Sequence, residues 1–193
     1  TELGIIADNS VNPEFLALDL ISQAEHSSDT FCYLITNSEK TAKLVNEIIS
    51  KLLPTIQRSE LVKSSLSKNG FIAVCKNSSD MVNLANSLAP EHLQIMTKNP
   101  KLISSKITTA GLVLLGDYSP SSASDYILGS NHILPTNGFG KIRGSLSVMD
   151  FIKINTEVTA SKLSLSKISK HLDTLTTSEG LPNHYEAVRG RLQ

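Results

Sequence analysis

Glu91 and His92 stand side by side in SLAPEHLQIM (87–96), directly after Pro90 and before a run of strand type. A carboxylate and an imidazole have ordinary pKa values on either side of ~5 to 6, so the pair could divide the work of activating water and accepting a substrate proton. Successive strand residues point to opposite faces, so both reach one cleft only if the turn itself brings them there. The plainer reading is surface decoration at the end of a helix, and the spacing allows either.

Gln23 and His26, in SQAEH (22–26), are three apart at the end of a helical pattern, where two ligands on neighbouring turns can reach one metal. Histidine is favoured near a helix C-terminus without any metal, however, and glutamine is a rare zinc ligand beside His, Cys and carboxylate. Asp125 and His132 lie in a polar loop after GLVLLG (111–116), and loops at the carboxyl ends of parallel strands are where such sheets place ligands. Glu179 and His184 are far along the chain. To join the same site they must fold back onto it or reach a second subunit. His171 reads as an exposed helix residue.

Other chemistries are excluded. No G-x-S-x-G occurs, and neither Cys32 nor Cys75 has a histidine placed to activate it, which sets aside a hydrolytic triad. Both cysteines lie in apolar runs, FCYLIT and FIAVC, and are expected to be buried free thiols in a reducing compartment. The glycines at 138, 140 and 144 follow no strand and open no helix, so they make no dinucleotide fingerprint. With 18 basic and 18 acidic residues in 193, the chain has no field to steer it onto nucleic acid or anionic lipid. Neither a membrane-spanning run nor a signal-peptide pattern is evident, so a cytoplasmic location is expected.

The elements that must position these residues follow from apolar periodicity. LGIIAD (3–8), FCYLIT (31–36), FIAVC (71–75), LQIM (93–96) and GLVLLG (111–116) read as short buried strands. Between them lie amphipathic helices: one capped by Asn12 with Pro13 in its first turn, one from Ser38 to about Leu53, one over about 57–68 ending at Asn69-Gly70, one closed by Pro90, and a short one near 99–105. This alternation predicts an α/β fold, a mostly parallel sheet with helices on both faces. After a Ser, Gly, Asn and Pro-rich stretch (117–147), VMDFIKI, the run from about 159 to 176 and a last segment after EGLPN read as helical. The expected division is an α/β core over 1–147 and a small C-terminal helical tail over 148–193.

LDLISQAEHSSD, LAPEHLQI, GDYSPSSASDYILGSNHILPT, GSLSVMDFIK and EGLPNHYEAVRGRL, taken together and in this order, resemble histidinol dehydrogenase. The resemblance runs over the whole chain. It implies oxidation of L-histidinol through the aldehyde level to L-histidine, the last steps of histidine biosynthesis, with two NAD reduced and a zinc ion that does no redox chemistry. It implies Gln23, His26, Asp125 and His184 as zinc ligands, the last contributed across a homodimer interface built by the tail. Under the same resemblance His92 is the base for the alcohol proton and Glu91 activates water for the second oxidation, while Thr1, His132 and Glu179 contact substrate. Thr1 stands where many family members have serine. The core is then an incomplete Rossmann-like domain, and the chain the C-terminal portion of a longer enzyme whose N-terminal part makes most NAD contacts. Its abrupt start, Thr1-Glu2 leading straight into a strand, accords with that expectation, and no NAD-contacting residue can be named from it. A non-catalytic zinc-binding or dimerisation module, and a zinc hydrolase using Glu91 without NAD, are the alternatives.

Overall fold

The computed structural model describes every residue from Thr1 to Gln193. It divides into two compact units, Thr1–Asp150 and Phe151–Gln193. The first opens with β1 (Glu2–Ala7), α1 (Pro13–Ala24), β2 (Phe31–Thr36), α2 (Glu39–Leu52), α3 (Ser59–Asn69) and β3 (Gly70–Val74). It continues with α4 (Ser78–Leu88), β4 (His92–Met96), α5 (Pro100–Ser104), β5 (Leu112–Leu115) and α6 (Ser121–Ser124).

The five strands form one sheet in the order β3-β2-β1-β4-β5, every pair parallel. This is the α/β fold expected, with the strand order of a doubly wound Rossmann-like sheet. Parallel neighbours need crossovers, and the helices that supply them cover both faces. On one face Leu3, Ile5, Cys32 and Leu34 pack with Leu16, Leu20 and Ile21 of α1 and with Val45 and Val62. On the other, Ile6, Tyr33, Ile35, Leu93 and Ile95 pack with Met81, Val82 and Ala85 of α4. Full burial of each such aliphatic side chain contributes about 1.5–3 kcal/mol, which makes this two-sided core the rigid part of the unit.

Period two divides β4 in a way that matters for the site. Leu93 and Ile95 enter the α4 side, whereas Met96 joins the α1 side. His92 and Gln94 share that second face by alternation, so two polar residues occupy positions a core strand would ordinarily fill with aliphatics.

Local details depart from the sequence reading. Asn69-Gly70 forms no left-handed cap: Gly70 is extended (φ −98°) and passes directly into β3. Glycine is needed there because a Cβ would lie 2.5 Å from the Leu66 carbonyl oxygen. Cys32 is buried but Cys75 is only half-buried, since β3 is an edge strand that ends at Val74. VMDFIKI is helical only as one 3-10 turn, Val148–Phe151, because its apolar residues find no core to pack on and stay exposed.

In the second unit α7 (Lys162–Ser178), capped by Ser161, and α8 (Pro182–Leu192) form a helical hairpin around Gly180, whose φ of 71° suits a residue without a Cβ. Neither helix buries a residue within this unit. No helix of the chain is long and apolar enough to cross a membrane.

Candidate active site

Ala89 ends α4 in the left-handed conformation (φ 48°), an arrangement that costs about 1–2 kcal/mol for a residue other than glycine. Together with Pro90 it turns the chain so that Glu91 precedes β4 and His92 opens it. The backbone here is pinned from β5: Gly111 N donates to Pro90 O and Leu112 N to Glu91 O, both at 2.9 Å. A Cβ on Gly111 would meet Glu91 O at 2.7 Å, so glycine is what lets the two segments close.

Glu91 and His92 are 7% and 2% exposed, which rules out surface decoration. Glu91 exchanges bonds with Glu2: the Glu2 amide donates to Glu91 Oε2 at 3.0 Å, and the Glu91 amide donates to Glu2 Oε2 at 3.1 Å. The other Glu2 carboxylate oxygen accepts from Asn137 N at 2.8 Å, tying the later loop to the same point. Glu91 Oε1 lies 4.0 Å from His92 Nδ1. That nitrogen is 3.3 Å from the Glu2 carbonyl oxygen, and Nε2 is 3.0 Å from Asp125 Oδ1. Both ring nitrogens thus face oxygen atoms.

Gln23, 4% exposed, sits in the last turn of α1 and donates from Nε2 to Thr1 Oγ1 at 2.7 Å. Its Oε1 accepts, at 3.4 Å, from the hydroxyl of Ser121, the first residue of α6. His26 lies outside the helix, one residue beyond the Glu25 cap, and is exposed; its amide still bonds Gln23 O at 3.1 Å, continuing the turn. Asp125 closes α6, its amide donating to Ser121 O at 3.2 Å.

Two adjoining clefts result. One of about 420 Å³ is lined by Thr1, His26, Glu91, His92, Asp125, Tyr126 and His132. The other, about 360 Å³, shares His26, Asp125 and Tyr126 and adds Gln23 and Arg58. Seven of the nine sequence candidates therefore gather: Thr1, Gln23, His26, Glu91, His92, Asp125 and His132. Glu179 caps α7 and His184 lies in the first turn of α8, both exposed within the second unit. The gathering point corrects one expectation. It lies at the amino ends of β1 and β4, and Asp125, although it follows β5, is carried back across the sheet to that edge by Ser121–Ser124.

The sequence reading missed Glu2, Asp19, Gln94 and Ser121. Gln94 Nε2 donates to Asp19 Oδ2 at 2.8 Å, and Gln94 Oε1 accepts from Ser121 N at 3.2 Å. Burial pushes the Asp19 carboxyl above its usual range, and the Gln94 bond only partly offsets this. The one signal available was the polar glutamine inside HLQIM.

A metal fits this donor set in type. Gln23, His26 and Asp125 line a single cleft and offer the oxygen and nitrogen ligands that zinc accepts. Among His, Cys, Asp and Glu side chains no group of three gathers that could hold a metal ion. The Gln23 amide oxygen would have to serve, and Asp125 would have to turn from His92.

The family model described as histidinol dehydrogenase matches residues 1–192. The histidinol dehydrogenase of Methanopyrus kandleri is 41% identical over 192 residues, covering 99% of this chain and 44% of that protein. That of Oceanobacillus iheyensis is 39% identical over 191 residues, covering 99% and 45%. The crystal structure of histidinol dehydrogenase from Elizabethkingia anophelis superposes with a TM-score of 0.92 at 34% identity, over 100% of this chain and 44% of that one. The chain thus spans less than half the length of the relatives it matches.

Proposed function

Because the chain belongs to the histidinol dehydrogenase family, we propose that it supplies the acid/base and metal-binding part of an enzyme oxidising L-histidinol to L-histidine in the cytoplasm. The observation that carries this reading is the His92 ring, buried at the amino edge of the sheet between Glu91, Glu2 and Asp125 beside the cleft that holds Gln23 and His26.

Gln23, His26 and Asp125 would hold zinc, with His184 as the fourth ligand from a second copy of the chain in a homodimer. Zinc there would supply a Lewis acid to orient histidinol and steady developing negative charge. NAD would supply the hydride acceptor for the two oxidations. The remaining work falls to this chain's side chains. His92 Nε2, which Asp125 Oδ1 meets at 3.0 Å, would take the hydroxyl proton of the alcohol as hydride leaves its carbon. Glu91, fixed through its Oε2 by the Glu2 amide, takes a proton from water as that water adds to the aldehyde; His92 serves again as base for the hydrate. Thr1, His132 and Glu179 bind and orient the substrate.

Calorimetric titration of the chain with L-histidinol, with and without zinc, tests the site independently of NAD. Zinc-dependent binding lost in His26→Ala is expected. Equal binding with and without zinc would overturn the assignment of Gln23, His26 and Asp125.

A further inference from the structure

The polar stripe on β4 has a second member that the proposed chemistry leaves idle. Gln94 is 1% exposed, as deeply buried as the aliphatics around it. Its Nε2 donates to Asp19 Oδ2 at 2.8 Å and lies 3.7 Å from Met96 Sδ, while its Oε1 accepts from Ser121 N at 3.2 Å. Ser121 in turn donates its hydroxyl to Gln23 Oε1 and accepts at its carbonyl from the Asp125 amide. One buried amide therefore joins α1, β4 and α6, the first and last of which carry Gln23 and Asp125.

The choice of an amide is dictated by its neighbours. Gln94 must offer a donor toward a carboxylate and an acceptor toward a backbone N–H. A glutamate would set two carboxylates 2.8 Å apart, and a leucine would leave Asp19 and the Ser121 amide unpaired. With donor and acceptor both committed, the amide cannot flip, so the start of α6 is fixed relative to the last turns of α1.

We propose that Gln94, held by Asp19, is a positioning residue: it locks α6 against α1 so that Gln23 and Asp125 present their oxygens to one metal ion. This rests on the reading of those two residues as ligands. The competing account is that Gln94 and Asp19 only satisfy each other inside the core, in which case any well-packed replacement of the pair would serve equally.

Two double substitutions in the 193-residue chain separate the accounts, with zinc affinity read by competition against a fluorescent chelator and melting temperature read alongside. Asp19→Asn with Gln94→Glu exchanges donor and acceptor at the 2.8 Å contact and still leaves an oxygen for Ser121 N. Asp19→Leu with Gln94→Leu removes the polar pair but keeps the site filled. The exchanged pair is expected to bind zinc within about threefold of the parent. The leucine pair is expected to keep a single cooperative melting transition yet to bind zinc at least tenfold more weakly, the scale seen when groups that orient metal ligands are removed. Parental zinc affinity in the leucine pair, or no recovery in the exchanged pair, overturns the proposal. Should the leucine pair fail to fold, Gln94→Glu alone replaces it: a loss of tenfold or more that adding Asp19→Asn reverses is expected, and an unreversed loss overturns the proposal. Gln23→Ala is the control. Zinc binding that is absent in the parent, or unmoved by Gln23→Ala, defeats the ligand assignment itself; binding that needs Gln23 but ignores the leucine pair defeats only the role of Gln94.

Discussion

At the amino edge of the sheet Glu91, His92 and Gln23 are each less than one-tenth exposed, and each is bonded to residues distant in sequence. At the carboxyl edge Asp8 is half-buried, Ser10 and Lys98 are exposed, and the Asp8 carboxylate accepts from the nearby Ser10 amide and from the Lys98 amide of the chain after β4 in solvent-exposed bonds. The cleft there, lined by Asp8, Asn37, Ser78 and Lys98, measures about 150 Å³ against about 420 Å³ at the other end. Topology alone favours the carboxyl edge, because β1 and β4 diverge into their crossovers there. The cost of burying polar groups points the other way. Unpaired, each costs a few kcal/mol, roughly 2–7, so a fold that buries several at one edge must pair them all, and does so most economically around a site.

The contrast can be broken most severely at Glu91. In a full-length family member carrying this sequence, Glu91→Gln is expected to retain histidinol binding while the aldehyde-to-acid step slows by about 100-fold or more, the scale of lost general acid/base catalysis. The check is histidine formed per NAD reduced; undiminished histidine would contradict the role. Next in size, His26→Ala is expected to lower zinc affinity by at least about tenfold, read as metal content after dialysis. Unchanged content would remove His26 from the ligand set.

Two aspartates sharpen the comparison through opposite pH dependence. Burial raises Asp8, but hydrogen bonds from the Ser10 side chain and the Lys98 and Ser10 amides outweigh it and hold the carboxyl below its usual range. Its stabilisation is present above the unfolded-state pKa of about 3.9 and is lost as pH falls through the lower folded value. Asp8→Asn is therefore expected to cost less than about 1 kcal/mol at pH 7, to converge with the parent below pH ~4, and to leave zinc binding unchanged. Asp19 is raised by burial, so its contribution is present below the unfolded pKa and is lost as pH rises through the folded one. Asp19→Asn is expected to gain on the parent as pH rises from ~4 to 7. Chemical denaturation across that range checks both, and parallel profiles would contradict the assignment of opposite environments. The smallest effect concerns the thiols: burial pushes Cys32 up to about 12, so at pH 8 the native chain is expected to yield one thiol, Cys75, to an aromatic disulfide reagent and two after unfolding.

Much of the α/β frame was legible because its signals are local. Apolar runs of four to six residues, Asn12 before Pro13 and Pro90 after a helical period each act within one element. The clustering of Glu91, His92, Gln23, His26 and Asp125 could be named only through the resemblance, since spacing left each pair open. Glu2 was invisible because its bond to Glu91 spans 89 positions and exists only through the β1–β4 register, which sets Leu3 opposite His92. Gln94 passed unnoticed inside the short buried strand LQIM, because the partners that satisfy its amide, Asp19 and the Ser121 N–H, come from elements far away in sequence. The edge on which the site forms was misjudged for a related reason: nothing in SPSSASD shows that it carries Asp125 back across the sheet.

Anomalous diffraction at the zinc edge, from crystals of this chain grown with zinc and L-histidinol, addresses the amino-edge site most directly. The account predicts a single strong peak bonded to Gln23 Oε1, His26 and Asp125, with the Asp125 carboxylate moved off His92. A peak at the carboxyl edge near Asp8, or none within reach of Gln23 and His26, would contradict it.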